Sequence, residues 1–80
     1  MKDIFEDHYE DLQISPKADQ ETIERVYRLL AKRYHPDNND SGSVEKFDII
    51  TKAYKVLGQA EKRAAYDATY AEKKDLVVKA

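Results

Sequence analysis

The chain has no cysteine, only two glycines and two prolines, and no long apolar run. The lack of cysteine excludes disulfides and thiolate zinc sites, the staples on which many small domains rely. At 80 residues the chain is one small domain, and its stability must come from apolar packing, which favours compact helices. No segment approaches the roughly 20 apolar residues of a membrane span. The opening MKDIFEDHYED is acidic and is not a secretory signal. An excess of charge of one sign is missing too: 38% of residues are charged, yet the net charge is -2. That near balance gives no chain-wide attraction to nucleic acid or anionic membrane. A soluble, cytoplasmic, monomeric module is the expectation.

Four helical elements are legible. In Asp7 to Gln13, Tyr9 and Leu12 share a helical face, and Ile14-Ser15-Pro16 closes the element because the residue before proline avoids helical angles. Asp19 then has the character of an N-cap, with Glu21 in the first turn. Ile23, Val26, Tyr27, Leu30 and Tyr34 recur at helical spacing, which predicts a helix over 20–34. Its outer face carries Arg25, Arg28 and Lys32, with Arg33 at the shoulder, so four basic residues stand against Glu21 and Glu24. Asn38 to Ser43 is loop by composition. Phe47, Ile50, Tyr54 and Leu57 form the next apolar stripe, with Ser41 or Ser43 as its cap and Gly58 just past its end. Two long helices joined by a short polar loop lie antiparallel, stripe against stripe. A short fourth element runs from Ala60 to about Tyr70, followed by a tail without clear pattern.

The segment RYHPDNN, residues 33–39, ends the second helix. Pro36 alone accounts for the stop. His35 and Asp37 need not have any role beyond the turn, since Asp and Asn favour turns and a histidine suits a helix C-terminus. Metal binding by His35, Asp37 and Asp40 lacks the ligand count, and His8 lies in another element. A hydrolase would need a nucleophile and an oxyanion site that this loop does not offer. No catalytic residue, metal or cofactor is therefore assigned. The remaining reading is a docking surface, in which a proline-stiffened loop presents His35 and Asp37 beside the basic helix to an acidic partner.

Four blocks carry a resemblance to a known family: DHYEDLQISPKAD, IERVYRLLAKRYHPD, KFDIITKAYKVL and EKRAAYD, in this order and spacing from Asp7 to Tyr70. The chain resembles the J-domain of DnaJ-like co-chaperones. That resemblance implies an all-α fold, with a short helix, a long antiparallel hairpin holding the His-Pro-Asp loop, and a short fourth helix. It divides the chain into an N-terminal extension at 1–6, the J-domain at 7–70 and a tail at 71–80. It also implies docking on a DnaK-type heat-shock chaperone and stimulation of ATP hydrolysis. The contacts would come from His35, Pro36, Asp37, Arg25, Arg28, Lys32 and Arg33, with Asp37 meeting a chaperone arginine. Such stimulation is a coupling free energy, and no group of this chain has to touch phosphate.

Some positions depart from the family pattern. Glu24 and Leu29 stand where basic residues are frequent, and Asn38 replaces a common lysine, which weakens the positive field. Gln13 takes the place of a frequent glycine, and Gln59-Ala60 that of the usual Asp-Pro. The loop after Asp37 is short, and nothing after Tyr70 resembles a glycine/phenylalanine-rich linker or a cysteine-rich zinc module. Two other functions compete with chaperone stimulation. One is a J-like module that recruits a different partner, a reading motivated by Leu29. The other is nucleic-acid binding through the basic helix, which the two glutamates oppose.

Overall fold

The computed structural model describes residues 5–79, with side chains to residue 73. It is all-α, with α1 at His8–Asp11, α2 at Gln20–Tyr34, α3 at Val44–Leu57 and α4 at Ala60–Lys79. The first helix is a single turn. The Asp7 carboxylate accepts from the Glu10 N–H at 3.1 Å and so caps its start. Asp19 caps α2 in the same way, accepting from the Thr22 N–H at 2.7 Å. Those hydrogen bonds with Thr22 hold its carboxyl below the usual carboxylate range. At α3 it is Ser43, not Ser41, that caps, accepting from the Lys46 N–H at 3.2 Å.

Helices α2 and α3 are antiparallel and meet through the two stripes. Ile23 and Leu30 from α2, with Ile50, Ala53 and Leu57 from α3, are buried. The tyrosine and phenylalanine of these stripes sit at the edge of this core. Tyr27, Tyr34, Phe47 and Tyr54 are half-buried against it, and the Tyr27 and Tyr54 rings stack 4.1 Å apart and nearly parallel. Tyr9 and Leu12 close the base of the hairpin from α1, and Tyr70 from α4; Tyr9 and Leu12 have almost no exposure. Gly58 ends α3 as expected, although with φ of -76° it is not left-handed. Its constraint is space, because a Cβ would stand 2.7 Å from the Tyr54 ring.

Arg63 fastens α4 to the rest of the base. Its guanidinium donates to the carbonyls of Pro16 and Ala18 and to Gln20 Oε1, and its Nε to the Tyr9 hydroxyl. The Tyr9 hydroxyl in turn donates to Asp67. Further along, Tyr66 accepts from the His8 N–H and donates to the Glu6 carbonyl. Burial pushes the Tyr66 hydroxyl up to about 12, so it keeps its donor proton at neutral pH.

The fourth helix is longer than the short element predicted. It continues through residues 71–79, where the sequence holds no glycine or proline and has three lysines beside one alanine, one glutamate and one leucine, all good helix formers. No apolar period marks this stretch, so the spacing of apolar residues does not predict it. Of the N-terminal extension, residues 1–4 lie outside the described residues; Phe5 packs its ring 5.8 Å from that of Tyr70.

Gln13 has φ of 58°, the left-handed region, in the turn between α1 and the proline. An L-residue pays roughly 1–2 kcal/mol there, whereas glycine enters freely but loses roughly 0.5–1 kcal/mol more chain entropy. The Gln13 side chain is exposed. We expect Gln13→Gly to stabilise the domain by about 0.5 kcal/mol. Urea denaturation with an unchanged slope and a higher midpoint supports this; a lower midpoint shows that the glutamine contributes more than its strain costs.

Candidate docking site

The His-Pro-Asp segment forms a hydrogen-bonded turn at the tip of the hairpin. The Asn38 N–H donates to the His35 carbonyl at 2.8 Å, which places Pro36 and Asp37 at the two central positions. Proline is favoured at the first of these because its ring fixes φ. His35 is the C-cap of α2 and adopts ψ of 135°, the extended value that a following proline imposes.

The imidazole of His35 is held on two sides. Its Nδ1 accepts the Asp37 N–H at 3.1 Å, and its ring meets Phe47 edge-on at 5.4 Å. The Asp37 carboxylate also approaches Nδ1, at 3.8 Å. As an acceptor from the Asp37 N–H, Nδ1 binds through its lone pair, and the carboxylate at 3.8 Å lies beyond hydrogen-bond distance. The Asp37 side chain is 94% exposed. The tip thus presents a carboxylate to solvent from a backbone fixed by proline and by its neighbours.

The basic residues divide into two groups. Arg25 pairs with Glu21 at 2.5 Å and Arg28 with Glu24 at 3.6 Å, each one turn back on the same helix. All four side chains are well exposed, so each pair contributes a few tenths of a kcal/mol at most. Their charge is nonetheless partly cancelled locally. Lys32 and Arg33 occupy the exposed last turn of α2, next to the loop. The positive field of the helix is therefore weighted towards the tip. Leu29 is 57% exposed on this helix.

Two loop residues play parts that the sequence reading did not assign. Ser41 donates its hydroxyl to the Arg33 carbonyl at 2.7 Å, which satisfies the C-terminus of α2 instead of the start of α3. Asn38, treated above as a lost charge, bonds in both directions. Its amide donates to the carbonyl of Arg33 at 3.1 Å and more weakly to that of Lys32 at 3.4 Å. Its side-chain oxygen accepts from the N–H groups of Asp40 and Ser41. The signal for this was present, because asparagine commonly folds back on nearby backbone in turns. Among the described residues, no three histidine or acidic side chains come together as a metal site would require.

An antiparallel helical hairpin with a hydrogen-bonded polar tip, braced at its base by α1 and α4, defines the class of all-α fold. Comparison with known sequences makes the assignment specific. The DnaJ domain family matches residues 7–67, and the chain belongs to that family. Similar proteins include the chaperone protein DnaJ of Campylobacter jejuni strain NCTC 11168, 48% identical over 62 residues that cover 75% of this chain and 17% of the relative. Chaperone protein DnaJ of Lacticaseibacillus casei is 50% identical over 62 residues, covering 76% of this chain and 16% of the relative. That of Prochlorococcus marinus is 48% identical with the same coverage. The match spans about one sixth of the length of these proteins and, with the DnaJ family assignment, falls on the fold described above.

Gly42 sits beneath the turn. A Cβ there would stand 2.4 Å from the Asn38 carbonyl oxygen and 2.5 Å from that of His35, both of them backbone atoms. We expect Gly42→Ala to displace the loop and destabilise the domain by about 1–3 kcal/mol, the usual cost of overpacking. A melting curve checks this, with the exposed Asn39→Ala as control; equal midpoints for the two variants contradict the close approach.

Proposed function

We propose that this chain is a J-domain co-chaperone module that docks on a DnaK-type heat-shock chaperone in its ATP-bound state and stimulates ATP hydrolysis. The observation that carries the reading is the His35-Pro36-Asp37 turn, fixed by backbone bonds yet presenting a carboxylate that is 94% exposed. A solvated carboxylate on a stiff turn loses little freedom on binding a cation and gains a directional contact, so it suits an arginine of the partner. Lys32 and Arg33 flank it, while Arg25 and Arg28 extend the surface along α2. The relatives bear the name of a chaperone, which supports the same reading. We assign the work to the cytoplasm, on the similarity to bacterial DnaJ chaperones.

Stimulation here is thermodynamic coupling. A surface that binds the hydrolysis-competent arrangement of its partner better than the alternatives shifts the population towards it. The chain contributes contacts and no chemistry on the nucleotide. A second reading keeps the fold but recruits a different partner without stimulating hydrolysis. Leu29 favours it, being a large apolar side chain exposed on the same helix as the arginines.

Steady-state ATPase assays of a DnaK-type chaperone with and without this chain separate the two, and His35→Gln then tests the turn itself. His35 is half-exposed and lies outside the buried core, and changes at such positions usually shift stability by within about 0.5 kcal/mol. We expect the melting temperature to stay near that of the wild type while stimulation of a DnaK-type ATPase is lost. Wild-type levels of stimulation by the variant, in steady-state assays, reject the His-Pro-Asp turn as the acting element.

A further inference from the structure

We propose that Asn38 is a positioning residue for the His35-Pro36-Asp37 turn, fixing the directions in which its side chains meet the partner. This rests on the docking role given to that turn above. The geometry singles out Asn38 among the loop residues. Its backbone N–H closes the turn on the His35 carbonyl, and its own carbonyl accepts the Gly42 N–H at 2.8 Å. Its side chain spans from the last carbonyls of α2 to the N–H groups of Asp40 and Ser41. Asp37 is thus held between a proline on one side and, on the other, a residue tied to both ends of the loop.

Both donor and acceptor are required at this position. Lysine and arginine donate but cannot accept, so neither could receive the Asp40 and Ser41 N–H groups. Asparagine gives up a charge beside the tip and supplies order. Ser41 reinforces the anchor at the Arg33 carbonyl, and Gly42 lets the chain pass close beneath. A loop that would otherwise sample many directions for Asp37 is therefore pre-organised, which lowers the ordering cost of the contact that promotes hydrolysis, made once α2 has docked.

Loss of a helix cap alone would also follow from removing Asn38, so the test needs a matched control. Ser43→Ala removes the N-cap of α3, a bond of similar kind that lies beyond the turn. The readouts are maximal stimulation of a DnaK-type ATPase, the domain concentration giving half of it, and the His35–Phe47 ring contact observed by NMR in the free domain. For Asn38→Ala we expect the ring contact to be lost and maximal stimulation to fall roughly ten-fold, within the usual span of coupling between sites. The half-maximal concentration should change by less than about two-fold, because α2 still docks. Ser43→Ala should keep the ring contact and the full maximum. If Asn38→Ala matches Ser43→Ala in either the ring contact or the maximum, the positioning role is overturned. If the wild-type domain stimulates no chaperone, the docking reading fails, and the ring contact alone still decides whether Asn38 orders the turn.

Discussion

The Arg63 guanidinium is the contact on which the arrangement of the four helices depends. Its side chain is 14% exposed and reaches two carbonyls of the linker before α2, the Gln20 amide oxygen and the Tyr9 hydroxyl. A buried cation is tolerated only when its donors are satisfied, and here they are satisfied by three different segments. Asp67, one turn further on α4, completes the cluster at 3.6 Å. Fixing α4 in this way positions Tyr66 and Tyr70 against α1, where their rings meet those of His8, Tyr9 and Phe5. In a domain with no disulfide this polar knot takes the place of a covalent staple.

The base holds the hairpin, and the hairpin holds the tip. Burial is concentrated from Ile23 to Leu30 and from Ile50 to Leu57, so the loop end of the molecule gets little help from the core. Order there comes from local polar bonds instead. Asn38 and Ser41 close the C-terminus of α2, Ser43 starts α3, and the Ser43 N–H reaches back to the Tyr34 carbonyl at 2.9 Å. The Tyr34 ring also carries the Lys46 ammonium 5.1 Å above its centre. A rigid tip made without burial leaves its side chains in solvent, which is what a docking element requires.

Much of this was legible from residue order. The two long helices followed from apolar spacing and from Asp19, and Gly58 marked the end of α3. These are local signals of period and cap, and tertiary packing did not override them. The seven residues proposed for docking lie along α2 and at its tip, as their spacing implied. Less was legible where an effect depends on pairing. Arg25 and Arg28 stand on the exposed outer face, and Glu21 and Glu24 meet them at the i, i+4 distance, a pairing that a count of charges does not show. Asn38 was weighed by the charge it lacks, when its effect depends on the backbone groups it touches. The reach of α4 beyond Tyr70 was hidden because no apolar period marks it.

The central claim is that Asp37 acts through a directional contact that promotes hydrolysis in the partner, not through general attraction. Single-turnover ATP hydrolysis by a DnaK-type chaperone, with Asp37→Asn supplied at concentrations that saturate binding, tests it most directly. Asparagine keeps the size of the side chain and the turn while removing the charge. The account predicts that hydrolysis stays at the basal rate even when the chaperone is fully occupied. Recovery of the wild-type rate at saturation would contradict it, and would make the tip an affinity element only.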